Sequence, residues 1–280
     1  MKSSTNFLGL LLVLLVFQLK AQENSLTIEK KKFSIGETFT IPSKTLNEDR
    51  IINVYLPHGY LVNTDKKYPI IYLLDGSADE DFIHVAGLVQ FGSFSWINMI
   101  PETIVVGIAN SDRKRDLTYP TNNKKDKEEF PTTGGSQAFI DFLEAELQPM
   151  IVKEYRTAGA RTLIGQSLGG LLATEILFKR PNMFDNYIII SPSLWWDDES
   201  LLKFTPKGYT TKKSVYVGVG KEGPTMQKVA KELFQKLKAV SKENTSLYFN
   251  FFEELDHGDT LHLATYDSFN KIFRKEKSGE

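Results

Sequence analysis

Three residues of this 280-residue chain could together carry out acyl chemistry: Ser167 in "LIGQSLGG", Glu222 in "VGKEGPTM" and His257 in "EELDHGDT". Ser167 sits in a G-x-S-x-G pattern, which chance alone supplies in roughly one random chain in ten of this length. Its context makes it more specific: an apolar strand (162–165) leads into it and a helical pattern (168–178) leads out. Strand, sharp turn and helix form the setting in which such a serine projects its hydroxyl above a sheet. The helix N-terminus favours developing negative charge, so the Leu168 N–H is a candidate oxyanion donor.

A serine hydroxyl needs a base, normally a histidine that a carboxylate orients, and in this architecture the order along the chain is Ser, acid, His. Of the four histidines only His257 and His262 follow Ser167. His257 lies in a loop just past the last apolar strand, where a base can reach back over the sheet, whereas His262 falls inside the final helical pattern. Glu222 directly follows the strand 214–220 and is the expected acid, with Asp197, Asp198 and Asp256 as rivals. The second oxyanion donor is expected in "LLDGSADED", where Gly76 permits close backbone approach, at the N–H of Ser77. No metal site is expected, since His257 and His262 are five apart and lack a third obvious ligand, and there are no cysteines.

These residues need a scaffold. Nearly continuous apolar runs at 68–74, 103–109, 161–165, 186–191, 214–220 and 247–252 read as strands buried on both faces of a parallel sheet. The mixed stretch 50–57 reads as an antiparallel strand near the edge. Helical periodicity at 137–155, 168–178 and 224–240 alternates with these runs, so the expected class is α/β with a mostly parallel central sheet flanked by helices. Two polar connections stand out: 111–135, read as a loop with a solvated "KKDKEE" run, and 192–213. In the latter, Trp195 and Trp196 cannot both enter one core, so they are candidate substrate-wall residues.

The ends of the chain and its charge complete the expectation. Lys2, an apolar run of eleven residues from Phe7 to Phe17 and Ala21 have the layout of a signal peptide over 1–21, too short for the roughly 20 residues of a membrane span. Residues 22–48 are then an extension or edge strands, and 49–280 the catalytic domain. The formal charge is −1, and removing Lys2 and Lys20 leaves 32 basic against 35 acidic residues, a net −3. This balance excludes a general electrostatic pull toward nucleic acid or anionic membranes. Export without disulfides or thiol chemistry fits a bacterial periplasmic or secreted protein.

Taken together, "INVYLPHGY", "YPIIYLLDG", "VVGIANSDRKRDLTYP", "YRTAGARTLIGQSLGG", "SPSLWW" and "DHGDT" resemble, in order, the esterase family of α/β-hydrolases. That family includes enterochelin (siderophore) esterases, esterase D-like enzymes, feruloyl esterases and mycolyltransferases. The resemblance implies an α/β-hydrolase fold with little or no lid, no cofactor, Ser167 as nucleophile, His257 as base and Glu222 as acid. Leu168 and Ser77 would supply the oxyanion hole. It implies a small-molecule or glycan-linked ester as substrate: a siderophore ester, or alternatively a feruloyl or acetyl ester on polysaccharide. Acyl transfer and a non-catalytic binding role are the other readings of such a fold. The chain departs from the family in carrying Gln166, where a histidine is common before the nucleophile. "RKRD" resembles the siderophore-esterase branch, so Arg113 is expected either to meet an anionic or catecholate ligand or, like Arg115, to pair with Asp116.

Overall fold

The computed structural model describes residues 28–240 and 243–274. The expected signal peptide lies outside the described residues. Residues from Ile35 onward form one compact unit; residues 28–34, which lie outside it, carry neither helix nor strand.

The compact unit is an eight-stranded sheet: β1 (Gly36–Ser43), β2 (Glu48–Tyr55), β3 (Tyr68–Leu73), β4 (Ile104–Ile108), β5 (Thr157–Gln166), β6 (Asn186–Ile190), β7 (Lys213–Gly220) and β8 (Thr245–Phe252). The spatial order is β1-β2-β4-β3-β5-β6-β7-β8. β1 and β2 run antiparallel to their neighbours, and the remaining strands are parallel. Every residue of β4, β6 and β7 is buried. Two-sided burial is why these segments are continuous apolar runs rather than alternating ones.

Among the described residues, ten α-helices lie between or after the strands: α1 (His58–Val62), α2 (Phe82–Gly92), α3 (Arg113–Leu117), α4 (Lys124–Glu129), α5 (Ser136–Phe142), α6 (Gln148–Glu154), α7 (Leu168–Lys179), α8 (Trp196–Lys203), α9 (Pro224–Val240) and α10 (Thr260–Ile272). α5, α6, α7 and α9 cover one face, through residues such as Phe142, Ile151, Leu172, Ile176 and Leu233. α2 and α10 cover the other, through Val85, Val89, Leu261, Ala264 and Phe269. α5 and α6 are joined by a π-helical turn, Leu143–Leu147, so the single helix expected over 137–155 is interrupted before Pro149, which has no N–H to donate.

The connection 111–135, expected to be a loop, holds α3 and α4. Both are short helices started by side chains rather than by hydrophobic periodicity: Asp112 accepts from the Arg115 N–H, and Asn123 accepts from those of Lys125 and Asp126. The "KKDKEE" run is solvated as expected, except for Asp126, which is buried and accepts from Thr121 at 3.0 Å. β3 connects to β4 on one side and its other neighbour is β5, so the strand order reverses at β3. Ligand crevices in open α/β sheets form at the carboxyl ends of strands at such a switch point.

Candidate active site

The carboxyl end of β5 is where the backbone is most unusual. Ser167 has φ 59° and ψ −118°, a conformation that is costly for a non-glycine residue and persists only where the surroundings hold it. Those surroundings are specific. The Ser167 N–H donates to the Ile190 carbonyl at 3.0 Å, and its carbonyl accepts from the N–H groups of Ser193 and Leu171, each at 3.0 Å. The turn also requires glycine: a Cβ on Gly165 would lie 2.3 Å from the Gly169 carbonyl oxygen. The serine hydroxyl therefore stands at the head of α7, with Leu168 as the first helical residue, whose N–H has no partner within the helix. The Ser167 and Ser193 hydroxyl oxygens are 3.3 Å apart.

Glu222 follows β7 and His257 follows β8, and the fold brings them together: His257 Nδ1 lies 2.5 Å from Glu222 Oε2. The Glu222 side chain is 1% exposed and that of His257 is 46% exposed. Glu222 Oε1 is held in turn by the Gly220 N–H at 2.8 Å, by the Ser191 hydroxyl, and by the Thr260 hydroxyl at 3.3 Å. Burial pushes the Glu222 carboxyl upward, but the hydrogen bonds from His257, Ser191 and Gly220 outweigh it and hold the group below the usual carboxylate range. An ionised carboxylate can only accept, so His257 carries its proton on Nδ1, which leaves Nε2 as the basic nitrogen.

The rival carboxylates are engaged elsewhere. Asp197 accepts from Thr121 and from the Asn122 N–H, Asp198 from Asn123, and Asp256 from the N–H groups of Gly258 and Asp259. His262 sits on α10 against His84 of α2, with ring nitrogens 2.8 Å apart. Among the described residues no three metal-ligating side chains converge.

The segment after β3 approaches the elbow from the other side. Gly76 is required there, since a Cβ would lie 2.4 Å from the Gly107 Cα. The Ser77 N–H donates to Glu80 Oε2 at 3.2 Å, so it is not free to meet a substrate oxyanion unless Glu80 moves. Arg113 is likewise engaged: its Nε and one terminal nitrogen grip Asp75 at 2.7 and 2.8 Å, a bidentate pair that Asn110 joins at 2.7 Å. Of the two arginines expected to pair with Asp116, Arg115 does so, at 2.7 Å, and Arg113 does not. Nearby Asp81 has its carboxyl pushed up to about 6, by burial first and then by the charges of Asp75 and Glu80.

One expectation needs correction. Trp196 is fully buried, donates from Nε1 to the Tyr119 carbonyl at 2.9 Å and packs edge-on against Phe130, so it is a core residue and cannot line a substrate wall. Trp195 is half-buried on the same cluster. Sequence reasoning passed over Ser193, Ser191, Asp75 and Asn110. Of these, only the two serines carried a signal, standing in "SPS" directly after a strand that adjoins the one leading to Ser167.

A mostly parallel sheet with a strained serine between strand and helix, and a histidine after β8 held by a carboxylate after β7, defines an α/β-hydrolase. The chain belongs to the Putative esterase family, whose model matches residues 43–269. It is similar to the ferri-bacillibactin esterase BesA of Bacillus subtilis, 29% identical over 84% of this chain and 91% of that one. It is also similar to the siderophore triacetylfusarinine C esterase of Aspergillus fumigatus, 33% identical over 52% of this chain and 51% of that one. Among solved structures, an IroE-like serine hydrolase from Shewanella oneidensis superposes with a TM-score of 0.75 at 29% identity, covering 85% of this chain and 80% of that one. The protein is a carboxylic ester hydrolase.

Proposed function

We propose that the chain is an exported serine esterase that opens siderophore esters through an acyl-enzyme on Ser167. The observation that carries this reading is the 2.5 Å contact of Glu222 with His257 Nδ1, on loops that follow a strained Ser167. Ser167 Oγ turns from Ser193 toward His257, attacks the ester carbonyl and passes its proton to Nε2. The oxyanion forms at the head of α7, within reach of the Leu168 N–H, with a second donor from the 74–81 segment. On collapse, the imidazolium Nε2 returns the proton to the departing alkoxide. Water then repeats the sequence: His257 takes its proton, and Ser167 leaves as the free hydroxyl. Glu222 accepts from Nδ1 throughout and is never protonated. The substrate class rests on two relatives, one named a ferri-bacillibactin esterase and the other a siderophore triacetylfusarinine C esterase.

The test is hydrolysis of a trilactone siderophore, read by mass spectrometry, beside a short p-nitrophenyl ester and a feruloyl-arabinose ester. The wild type is expected to open the trilactone and to be labelled by a fluorophosphonate, and Ser167→Ala to lose both, with kcat down at least about 10³-fold. Turnover of the feruloyl ester alone would replace the substrate assignment. An active Ser167→Ala would remove the nucleophile.

A further inference from the structure

The base is held more loosely than the acid behind it. Among the described residues, Glu222 accepts from three groups besides His257, whereas the His257 side chain is 46% exposed and its ring is held by one hydrogen bond, at Nδ1. A ring held at one nitrogen can still pivot about that contact, and a shift of about 1 Å at a reacting group costs up to about 10²-fold in rate. The rest of the base loop is tied to its own neighbourhood: Leu255 receives the Lys221 N–H at 2.6 Å, and Asp256 caps Gly258 and Asp259. Among the described residues, the hydrogen bond that ties His257 itself to the nucleophile's strand comes from Gln166. Its side-chain amide donates from Nε2 to the His257 carbonyl at 2.6 Å, across 91 positions of sequence. A backbone carbonyl only accepts, so the NH2 end of the amide faces it.

Gln166 is well placed to set a distance. It is the last residue of β5, in register with Ile190 of β6, and its carbonyl is 3.5 Å from the Arg113 guanidinium that Asp75 fixes. It directly precedes Ser167, so its backbone shares the frame of the nucleophile while its side chain reaches the base.

We infer that Gln166 is a positioning residue that sets the separation of His257 from Ser167 by clamping the base's own peptide to the nucleophile strand. This rests on the reading of Ser167 and His257 as nucleophile and base. Hydrogen bonding from Gln166 contributes through kcat, because its amide is engaged by the His257 carbonyl and acts on the position of the proton acceptor. Replacing it with glutamate keeps the shape but sets an ionised acceptor against a carbonyl oxygen. That added charge also favours the imidazolium, so the acid limb of the kcat/KM profile moves to higher pH.

The measurement is steady-state kinetics from pH 5 to pH 9 on Gln166→Ala, Gln166→Glu and Ser167→Ala, with Tm for each. The inference expects kcat of Gln166→Ala to fall about 10-fold or more with KM within about twofold, Tm within about 2 °C of wild type, and an unshifted profile. Gln166→Glu should lose at least as much above neutral pH and show the shifted acid limb. Two outcomes overturn it: both variants within about twofold of wild type in kcat, or a loss matched by a falling Tm with no shift in the Gln166→Glu profile. In either case an inactive Ser167→Ala leaves the nucleophile standing and removes only Gln166. An active one removes both.

Discussion

Glu222 separates His257 from an ordinary surface histidine, and at the scale of single residues the site depends on that contact. Because its folded-state carboxyl lies below the ordinary value, Glu222 stays ionised above the usual carboxylate range and loses its stabilising contribution only as pH falls through the lowered value. Glu222→Gln presents an amide that can turn its NH2 toward Nδ1 and favour the wrong tautomer, as in triads whose acid is amidated. Its kcat should fall about 10²–10⁴-fold on a p-nitrophenyl ester, while Asp198→Asn and Asp256→Asn stay within about threefold of wild type. Near-wild-type turnover by Glu222→Gln would show that His257 works without the acid. The strained turn at Ser167 and the pairing of Glu222 with His257 were legible in the sequence because each residue follows a recognisable strand in the order expected of acyl chemistry. The roles of Ser193 and Gln166 were not, because a hydroxyl beside a hydroxyl and an amide on a distant carbonyl exist only once β5, β6 and the base loop are assembled.

Elements decide how rigidly the segment after β3 is held beside the serine turn. The strands were legible because two-sided burial leaves an unmistakable apolar run, but the segment after β3 is polar, and its conformation depends on partners far along the chain. Asp75 there has φ 55° and is fixed by Arg113, a residue of α3. The sequence left Arg113 with two readings, ligand contact or loop brace, and the bidentate pair favours the brace. A double-mutant cycle discriminates them. If Arg113 braces the segment, Arg113→Ala and Asp75→Ala should each lower Tm and kcat, and the double variant should lose much less than the sum, with a coupling of about 1–3 kcal/mol. KM should change little. A rise in KM with Arg113→Ala alone, additive with Asp75→Ala, would instead place the guanidinium on the substrate.

At the scale of the whole molecule, the same architecture explains why the connection 111–135 could be mistaken for a plain loop. Its order comes from a charge cluster on the antiparallel edge of the sheet rather than from an apolar face. Arg50 of β2 is 1% exposed, donates to Asp116 at 2.6 Å, to Glu48 at 2.7 Å and to the Ala109 carbonyl at 3.2 Å, and lies over the Phe139 ring. Arg115 closes the cluster on Asp116 and Glu48. Such a pair adds little stability over an apolar replacement, yet removing one partner leaves an uncompensated buried charge. Asp116→Ala should therefore destabilise the protein by about 3–5 kcal/mol, roughly 10 °C in Tm for a chain of this size. Asp116 pairs with Arg50 and Arg115 rather than with Ser167, Glu222 or His257, so the variant that remains folded at low temperature should keep its kcat, whereas Lys124→Ala on the exposed face of α4 should change neither. If Asp116→Ala melted like wild type, the cluster would not be what orders this connection. If it lost kcat while fully folded, the connection would be transmitting its order to the neighbouring Arg113–Asp75 brace and from there to the oxyanion side of Ser167.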